Sequence, residues 1–389
     1  MNRQNLQNYQ CNVCNYLWCL PTSKKLRQSS VLLLVSLWIT QLVSLPVESV
    51  PTSNGPLKIG FIMVGPVSDC GWNQAHHDGR VFVQSALGKR VETTEVENVP
   101  ESAEAERVLE KMVSQGNKLI FATSYGFMEP VLRVAARHPD VVFMQVNRVG
   151  GAKNVGTYAG SNYEAMYVSG VVAGRMTKTN KLGFVAGHPI NQIMQEINAY
   201  ALGARSVNPK VTVRVIWTGS WFDPPAESEA ARALIDSGAD VLSTIAGYQA
   251  VLGTAEHNGV YSIGANGDQH KLVPKSWLTG AAWNWGPLYK KIAESVENHT
   301  WQSSSGFYGM KDDCIKLASF GAAVPKKVQD EATGLAEKIK QGKLVVFKGP
   351  LRDRDGIVRL STSQNADTDW LGKMNWLVSG VEGTLTKTQ

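Results

Sequence analysis

From residue 57 onward, short apolar runs alternate with helix-length segments, and the series is run through twice. The first series has strand-like runs at 59–64 (IGFIMV), 91–96, 118–122 (KLIFA), 141–145 (VVFMQ) and 155–159. Helix-like segments at 72–87, 103–115 and 129–136 lie between them. The second series places strands at 181–186 (KLGFVA), 211–217 (VTVRVIW), 241–245, 261–264 and 278–283, with helices at 192–207, 225–237, 249–258 and 287–297. Strands of a parallel sheet are covered on both faces, so they read as continuous β-branched runs rather than as alternating ones. Parallel strands need helical crossovers, so the pattern predicts an α/β chain with two sheets and a cleft between two lobes.

The link between the two series is a segment rich in small residues, 163–176, with Gly170 and Gly174 four apart. Such spacing lets another backbone approach closely. Glu164, Arg175 and the short apolar length argue against a membrane span and for a core helix.

In open α/β sheets ligands sit outside the carboxyl ends of the strands. Those ends share a bias here. The stretch 58–80, KIGFIMVGPVSDCGWNQAHHDGR, delivers Asp69, Trp72 and Asn73 to one rim after the first strand. Tyr125 follows the third strand and Asn147 the fourth. In the second series Trp217 ends VTVRVIW, Asn266 and Asp268 follow YSIG, and Trp283 ends LTGAAW. An indole offers a stacking face, and a carboxamide can both donate to and accept from a heteroaromatic edge. The blander alternative stays open at each position: an Asp as a helix cap, a Trp as packing.

Charge and cysteine content narrow the field. Net charge is +6, of which the first 50 residues contribute +3, and the lysines and arginines are not clustered. That excludes the electrostatic footprint of a nucleic-acid binder. Cys11, Cys14 and Cys19 fall in the first 20 residues. Their C-x-x-C lacks a neighbouring histidine to complete a zinc set, so no metal is assigned. Cys70 and Cys314 remain in the body, and sequence leaves their pairing open. Lys24, Lys25 and Arg27 precede an apolar run at 29–45, the pattern of a secretory signal. Export follows, with the leader either cleaved or kept as an anchor. Catalytic signatures are absent: no G-x-S-x-G, no H-E-x-x-H, no P-loop and no G-x-G-x-x-G after the first strand. His76 and His77, being adjacent on a helix, face different directions. Asp69 and Asp78 form an acid/base pair only in principle.

The residues also resemble a known family. KIGFIMVGPVSDCGWNQAHHDGR, FATSYGFMEP, GTYAGSNYEAMYVSGVVAG, WTGSWFDP, and YSIGANGDQ with LTGAAWNWGPLY resemble the basic membrane protein (BMP) family. These are substrate-binding proteins of ABC importers that include purine-nucleoside receptors. The resemblance runs from about residue 57 to about 360. It implies a type I periplasmic binding protein fold: two Rossmann-like lobes with a ligand cleft at the hinge. It also implies a non-enzymatic, monomeric receptor without cofactor, periplasmic or at the cell surface, that presents a purine base or nucleoside to an ABC permease. A sensor uncoupled from transport is the alternative, and a nucleoside hydrolase a more distant one. The expected divisions are an extension and signal at 1–50, lobe 1 at 57–162 with a return at about 284–304, and lobe 2 at 163–283 with a return at about 305–345. A tail at 346–389 completes the chain.

By resemblance, Trp72 stacks on the base, Asp69 and Asn73 read its edge, and Trp217 opposes Trp72 from the second lobe. Stacking on an indole is worth about 1–3 kcal/mol per face by alanine comparison. Nucleoside-binding members carry Asp where this chain has Asn266, and Lys where it has Trp283-Asn284. Those family residues grip the ribose, so the departures favour a free base such as adenine.

Overall fold

The computed structural model describes residues 55–147, 150–246 and 248–385. The leader and the amino-terminal cysteines lie outside the described residues. The elements of the first sheet come in order as β1 (Leu57–Ile62), α1 (Trp72–Leu87), β2 (Val91–Val96), α2 (Ala103–Ser114), β3 (Leu119–Ala122), α3 (Met128–Arg137), β4 (Val142–Val146) and β5 (Val155–Gly160). The second lobe follows with α4 (Tyr163–Met176), β6 (Lys181–Ala186), α5 (Asn191–Val207), β7 (Thr212–Trp217), α6 (Pro224–Asp236), β8 (Val241–Thr244), α7 (Tyr248–His257), β9 (Tyr261–Gly264) and β10 (Trp277–Trp283). The remainder is α8 (Gly286–Glu297), β11 (Ser305–Tyr308), β12 (Ile315–Leu317), α9 (Lys326–Lys340), β13 (Leu351–Arg352), β14 (Val358–Leu360), α10 (Thr368–Gly372) and β15 (Val381–Glu382).

Two sheets carry the fold. One runs β11-β5-β4-β3-β1-β2, all parallel. The other runs β12-β10-β9-β8-β6-β7-β15, parallel except where β12 pairs antiparallel with β10. The central strands β3 and β8 are buried along their whole length, as continuous apolar runs require. Outer layers close each sheet: Leu109, Met112, Val131 and Val134 from α2 and α3 cover one, and Ala231, Leu234, Val251 and Ala255 from α6 and α7 the other.

The helix α4 packs on α5 and β10, inside the second lobe. Its small residues explain how. A Cβ on Gly170 would fall 2.1 Å from the Tyr200 carbonyl oxygen, and one on Gly203 would fall 1.9 Å from that of Tyr167. The two helices therefore touch backbone to backbone. Among the described residues no helix is long and apolar enough to cross a membrane.

The chain passes between the lobes after β5, after β10 and after β11. After the second passage α8 packs on α1, in the first lobe. The β11 strand pairs with β5, so residues 305–308 belong to the first sheet rather than to the return expected from about 305. The next strand, β12, is back in the second sheet. As far as residue 385 the tail is structured and joined to the second lobe. Its β15 extends the sheet beside β7, with Val381 opposite Val213. Asn198 on α5 donates to the Trp376 carbonyl (2.9 Å) and accepts from the Val378 amide (2.8 Å).

Candidate functional site

The loops at the carboxyl ends of both sheets meet around a small cavity of about 80 Å³. Its first-lobe wall is Val64, Asp69, Trp72 and Asn73 after β1, Ser124 and Tyr125 after β3, and Asn147 after β4. Its second-lobe wall is Ile190, Gln192 and Ile193 around the start of α5, Trp221 after β7, Ile245 and Tyr248 after β8, and Asn266 after β9. An adjoining outer chamber of about 400 Å³ shares Val64, Asp69, Asn73, Trp221 and Tyr248 as walls.

The first-lobe wall is held by hydrogen bonds. The α1 helix starts after Gly71, which has no side chain to cap it. Asp69 does that work instead: one carboxylate oxygen accepts from the Gly71 and Gln74 amides (2.8 and 3.0 Å), the other from the Asn73 amide and side chain (2.8 and 2.9 Å). Anionic groups at a helix start offset its orphan N–H groups. Burial nevertheless pushes the Asp69 carboxyl upward, against the four hydrogen bonds that pull it down. Asn73, buried, accepts in turn from the Gly65 amide (3.2 Å). The Trp72 indole donates to the Thr123 carbonyl (2.7 Å), which ties the ring to the end of β3. Its back rests edge-on against His76, at 4.6 Å between centroids.

Behind Trp72 lies an aromatic column at the hinge. Trp283, on the last strand before the second crossing, meets Trp72 edge-on at 5.8 Å and stacks on Trp285 at 4.3 Å. Gly160 admits it: a Cβ there would fall 2.0 Å from the Trp283 ring. His76 is fully buried beside Tyr289, and burial holds its imidazole down at about 3, so it is neutral. His77 faces elsewhere, bonded to Glu95. Asp78 is exposed while Asp69 caps the helix, so the two carboxyls do not form one site.

The second-lobe wall rests on a polar network. Asn266, buried, accepts through Oδ1 from the Trp283 indole (2.8 Å) and from Asn162 (3.3 Å), and donates to the Tyr248 hydroxyl. Asn162 also donates to Glu196 (2.9 Å), as does Gln192 (2.9 Å). Glu196 is fully buried, and burial pushes its carboxyl up to about 8. Trp221 lies edge-on to His188 at 4.8 Å, seated over Gly187.

Contacts between the lobes close the rim. Gln249 donates to the Ser68 carbonyl (2.9 Å) and Gln269 to the Cys70 carbonyl (2.6 Å). A Cβ on Gly71 would fall 2.0 Å from the Tyr248 ring. Cys70 and Cys314 are both unpaired, and burial pushes the Cys314 thiol up to about 12.

Asp69, Trp72, Asn73, Tyr125, Asn147 and Asn266 thus share one cavity. Three expected positions do not. Trp217 is one of them. It shares the inward face of β7 with Val213 and Val215 and packs on the core, and Trp221, four residues on, takes the cavity wall. Asp268 accepts from His270 in its own loop and from the Ser319 amide just after β12 (2.9 Å). Trp283 stands behind the wall and orients Asn266. Gln192 and Tyr248 belong to the site as well. The i, i+4 pairing of Gln192 with Glu196 on one helix face was a readable signal for the former.

Two parallel-sheet lobes, three crossings and a cavity at the carboxyl strand ends define the fold of type I periplasmic solute-binding proteins. Two solved solute-binding proteins share the fold. That of Conexibacter woesei superposes with a TM-score of 0.63 at 23% identity, over 74% of this chain and 97% of its own. That of Aeropyrum pernix K1 gives 0.64 at 17% identity, over 81% and 95%. Residues 57–348 match the Bmp family profile, described as ABC transporter substrate-binding protein PnrA-like, and the chain belongs to that family. A purine-binding protein of Brucella abortus (strain 2308) is 40% identical over 85% of this chain and 94% of its own length. A Haloferax volcanii protein, provisionally described as an ABC transporter glucose-binding protein, is 32% identical over 86% and 82%. The family consists of extracytoplasmic substrate-binding proteins.

Proposed function

We propose that this protein is the exported receptor of an ABC importer and that it closes on a purine base, with adenine as the leading ligand. The observation that carries the reading is an indole from each lobe, Trp72 and Trp221, in the wall of one small cavity that also presents the carboxamides of Asn73, Asn147, Gln192 and Asn266. Planar rings and amide edges suit a flat, polar-edged heterocycle. The cavity is smaller than the roughly 300 Å³ at which pockets for drug-sized ligands begin. That favours a base over a bulkier ligand in the inner site. The purine-binding relative from Brucella supports the same class, and the Haloferax relative is the reason to include sugars in the test.

In this reading Asp69 sets the start of α1, so that Trp72 and Asn73 stand at fixed positions. Asn266 and Gln192 present amides from the other lobe, and closure brings the two sets together while excluding water. Export through the amino-terminal segment and docking on a permease complete the scheme. Mass spectrometry of small molecules released on denaturing the purified protein tests it, followed by calorimetry with adenine, hypoxanthine and glucose. Retention of a purine and tight adenine binding are expected. Glucose binding without purine binding would overturn the ligand class. Permease and ATPase genes beside this one would favour import over a stand-alone sensor.

A further inference from the structure

Glu196 does not line the inner cavity, but an amide bonded to it does. The acid lies fully buried one turn after Gln192 on α5. Each of its oxygens is taken by one amide: Glu196 Oε1 accepts from Gln192 Nε2 and Glu196 Oε2 from Asn162 Nδ2, both at 2.9 Å. Which end of an amide faces which way follows from the bonds it makes. With its nitrogen committed to Glu196, Gln192 is left with its oxygen for the cavity whose wall it forms. An amide oxygen only accepts, so this part of the wall reads a donor on the ligand.

The two amides differ in freedom. Asn162 Nδ2 also donates to Asn266 Oδ1 (3.3 Å), so reversing that amide would break two bonds and set two carbonyl oxygens against each other. Reversing Gln192 breaks only its bond to the acid. A carboxylate accepts only, whereas a protonated carboxyl has an O–H that needs an acceptor. A proton on Glu196 Oε1 therefore turns the Gln192 amide round, with its oxygen toward the acid and its nitrogen toward the cavity. Burial pushes the Glu196 carboxyl up to about 8, so both states are within reach near neutrality. Charged groups on the neighbouring elements are engaged elsewhere. On the helices packed against α5, Glu164 bonds the Met310 amide, Arg175 pairs with Glu331, and Asp369 lies by Lys373. On α5 itself Arg205 donates to the Val211 carbonyl, and ahead of it His188 rests on Trp221. The nearby phenols stay protonated, burial pushing the hydroxyls of Tyr163, Tyr200 and Tyr248 upward; Asp69 and Glu227 act on the Tyr248 hydroxyl along with Glu196.

We propose that Glu196 is a positioning residue that sets, through Gln192, whether the cavity offers an acceptor or a donor to the ring edge of its ligand, and so weights amino- against oxo-substituted purines. This rests on the base reading above. With Glu196 ionised, Gln192 accepts from an exocyclic amine, as on adenine. With the acid protonated, Gln192 donates to an exocyclic carbonyl, as on hypoxanthine. Binding adenine then releases the proton to solvent, and binding hypoxanthine retains it on Glu196.

Calorimetry on the full chain with adenine and hypoxanthine at pH 6, 7 and 8, where both bases are mostly neutral, tests the inference. Adenine binding should tighten about tenfold over that range and hypoxanthine binding should not, so the ratio of the two dissociation constants moves about tenfold. Glu196→Gln is neutral throughout: its carbonyl stays with Asn162 and its nitrogen donates to Gln192, which fixes Gln192 as a donor. That variant should lose the pH dependence of the ratio and shift it about tenfold toward hypoxanthine at pH 8. Gln192→Ala leaves the acid in place and should also lose the pH dependence, which decides the matter if Glu196→Gln fails to fold. A ratio that does not move with pH in the unaltered protein overturns the inference and leaves the base reading standing, as does a moving ratio that survives either substitution. Failure to bind either base overturns the base reading and this inference with it.

Discussion

The two walls of the cavity are made by the same device, a strand end turning into a helix, and they spend their polar groups differently. On the first-lobe side the Asp69 carboxylate, the Asn73 amide and the Trp72 indole are all bonded within that lobe. On the second-lobe side Asn162 and Gln192 donate to a buried acid, Glu196, that has no cation beside it, Asn266 joins that network through Asn162, and Glu227 keeps an oxygen without a protein partner. One wall is a finished platform. The other holds polar groups whose balance depends on what sits in the space before them. A receptor built this way can keep its stacking surface rigid while the opposite lobe supplies discrimination.

The strongest way to break this contrast is at the aromatic rings. Trp72→Ala should weaken adenine binding by about 1–3 kcal/mol, one to two orders of magnitude in the dissociation constant. Trp221→Ala should cost about tenfold by the same calorimetry. Trp217→Ala should leave affinity within about twofold while lowering stability by about 2 kcal/mol or more, because it opens the core behind β7. Should Trp217→Ala abolish binding and Trp221→Ala do nothing, the second wall has been misplaced.

Next comes proton linkage in the second lobe. Glu196 ionises near 4.5 when unfolded and near 8 in place, raised by burial. The folded protein therefore binds the extra proton, and the stability it contributes is fully present below 4.5 and is lost as pH rises through 8. Glu196→Gln should flatten the fall of the thermal midpoint across that window. An unchanged slope would remove Glu196 as its source.

A smaller effect probes the platform. Asp69→Ala removes the group that organises the start of α1 and should cost about 1 kcal/mol of stability, with a matching loss of adenine affinity. Loss of affinity without loss of stability would mean that Asp69 touches the ligand itself. The smallest effect is expected at the rim, where Gln249→Ala deletes an exposed contact between lobes. Affinity should fall by no more than about threefold, through faster release seen in stopped-flow traces.

Much of this was legible in the residues. The strand-end rule located Asp69, Trp72, Asn73, Tyr125, Asn147 and Asn266 because it depends only on chain direction and sheet type. The place of Trp217 on β7 was readable as well. In VTVRVIW the side chains alternate, so Trp217 faces with Val211, Val213 and Val215, which are buried, and away from exposed Arg214. Trp221 follows a Gly219-Ser220 turn and escapes that alternation. Other features had no local signature. The β11–β5 pairing joins distant segments across two crossings, the Trp283–Asn266 bond joins the ends of neighbouring strands of the second sheet, and only the assembled sheets decide them.

The carboxyl-terminal strand has a practical consequence. Since β15 hems the open margin of the second sheet and Asn198 fastens the segment before it, the stretch up to residue 385 is not a free handle. Trimming them would bare β7 to edge-to-edge pairing with other molecules, the usual opening for aggregation. Affinity tags and surface attachment for binding assays therefore belong at the other end of the folded region, where they leave that seam intact.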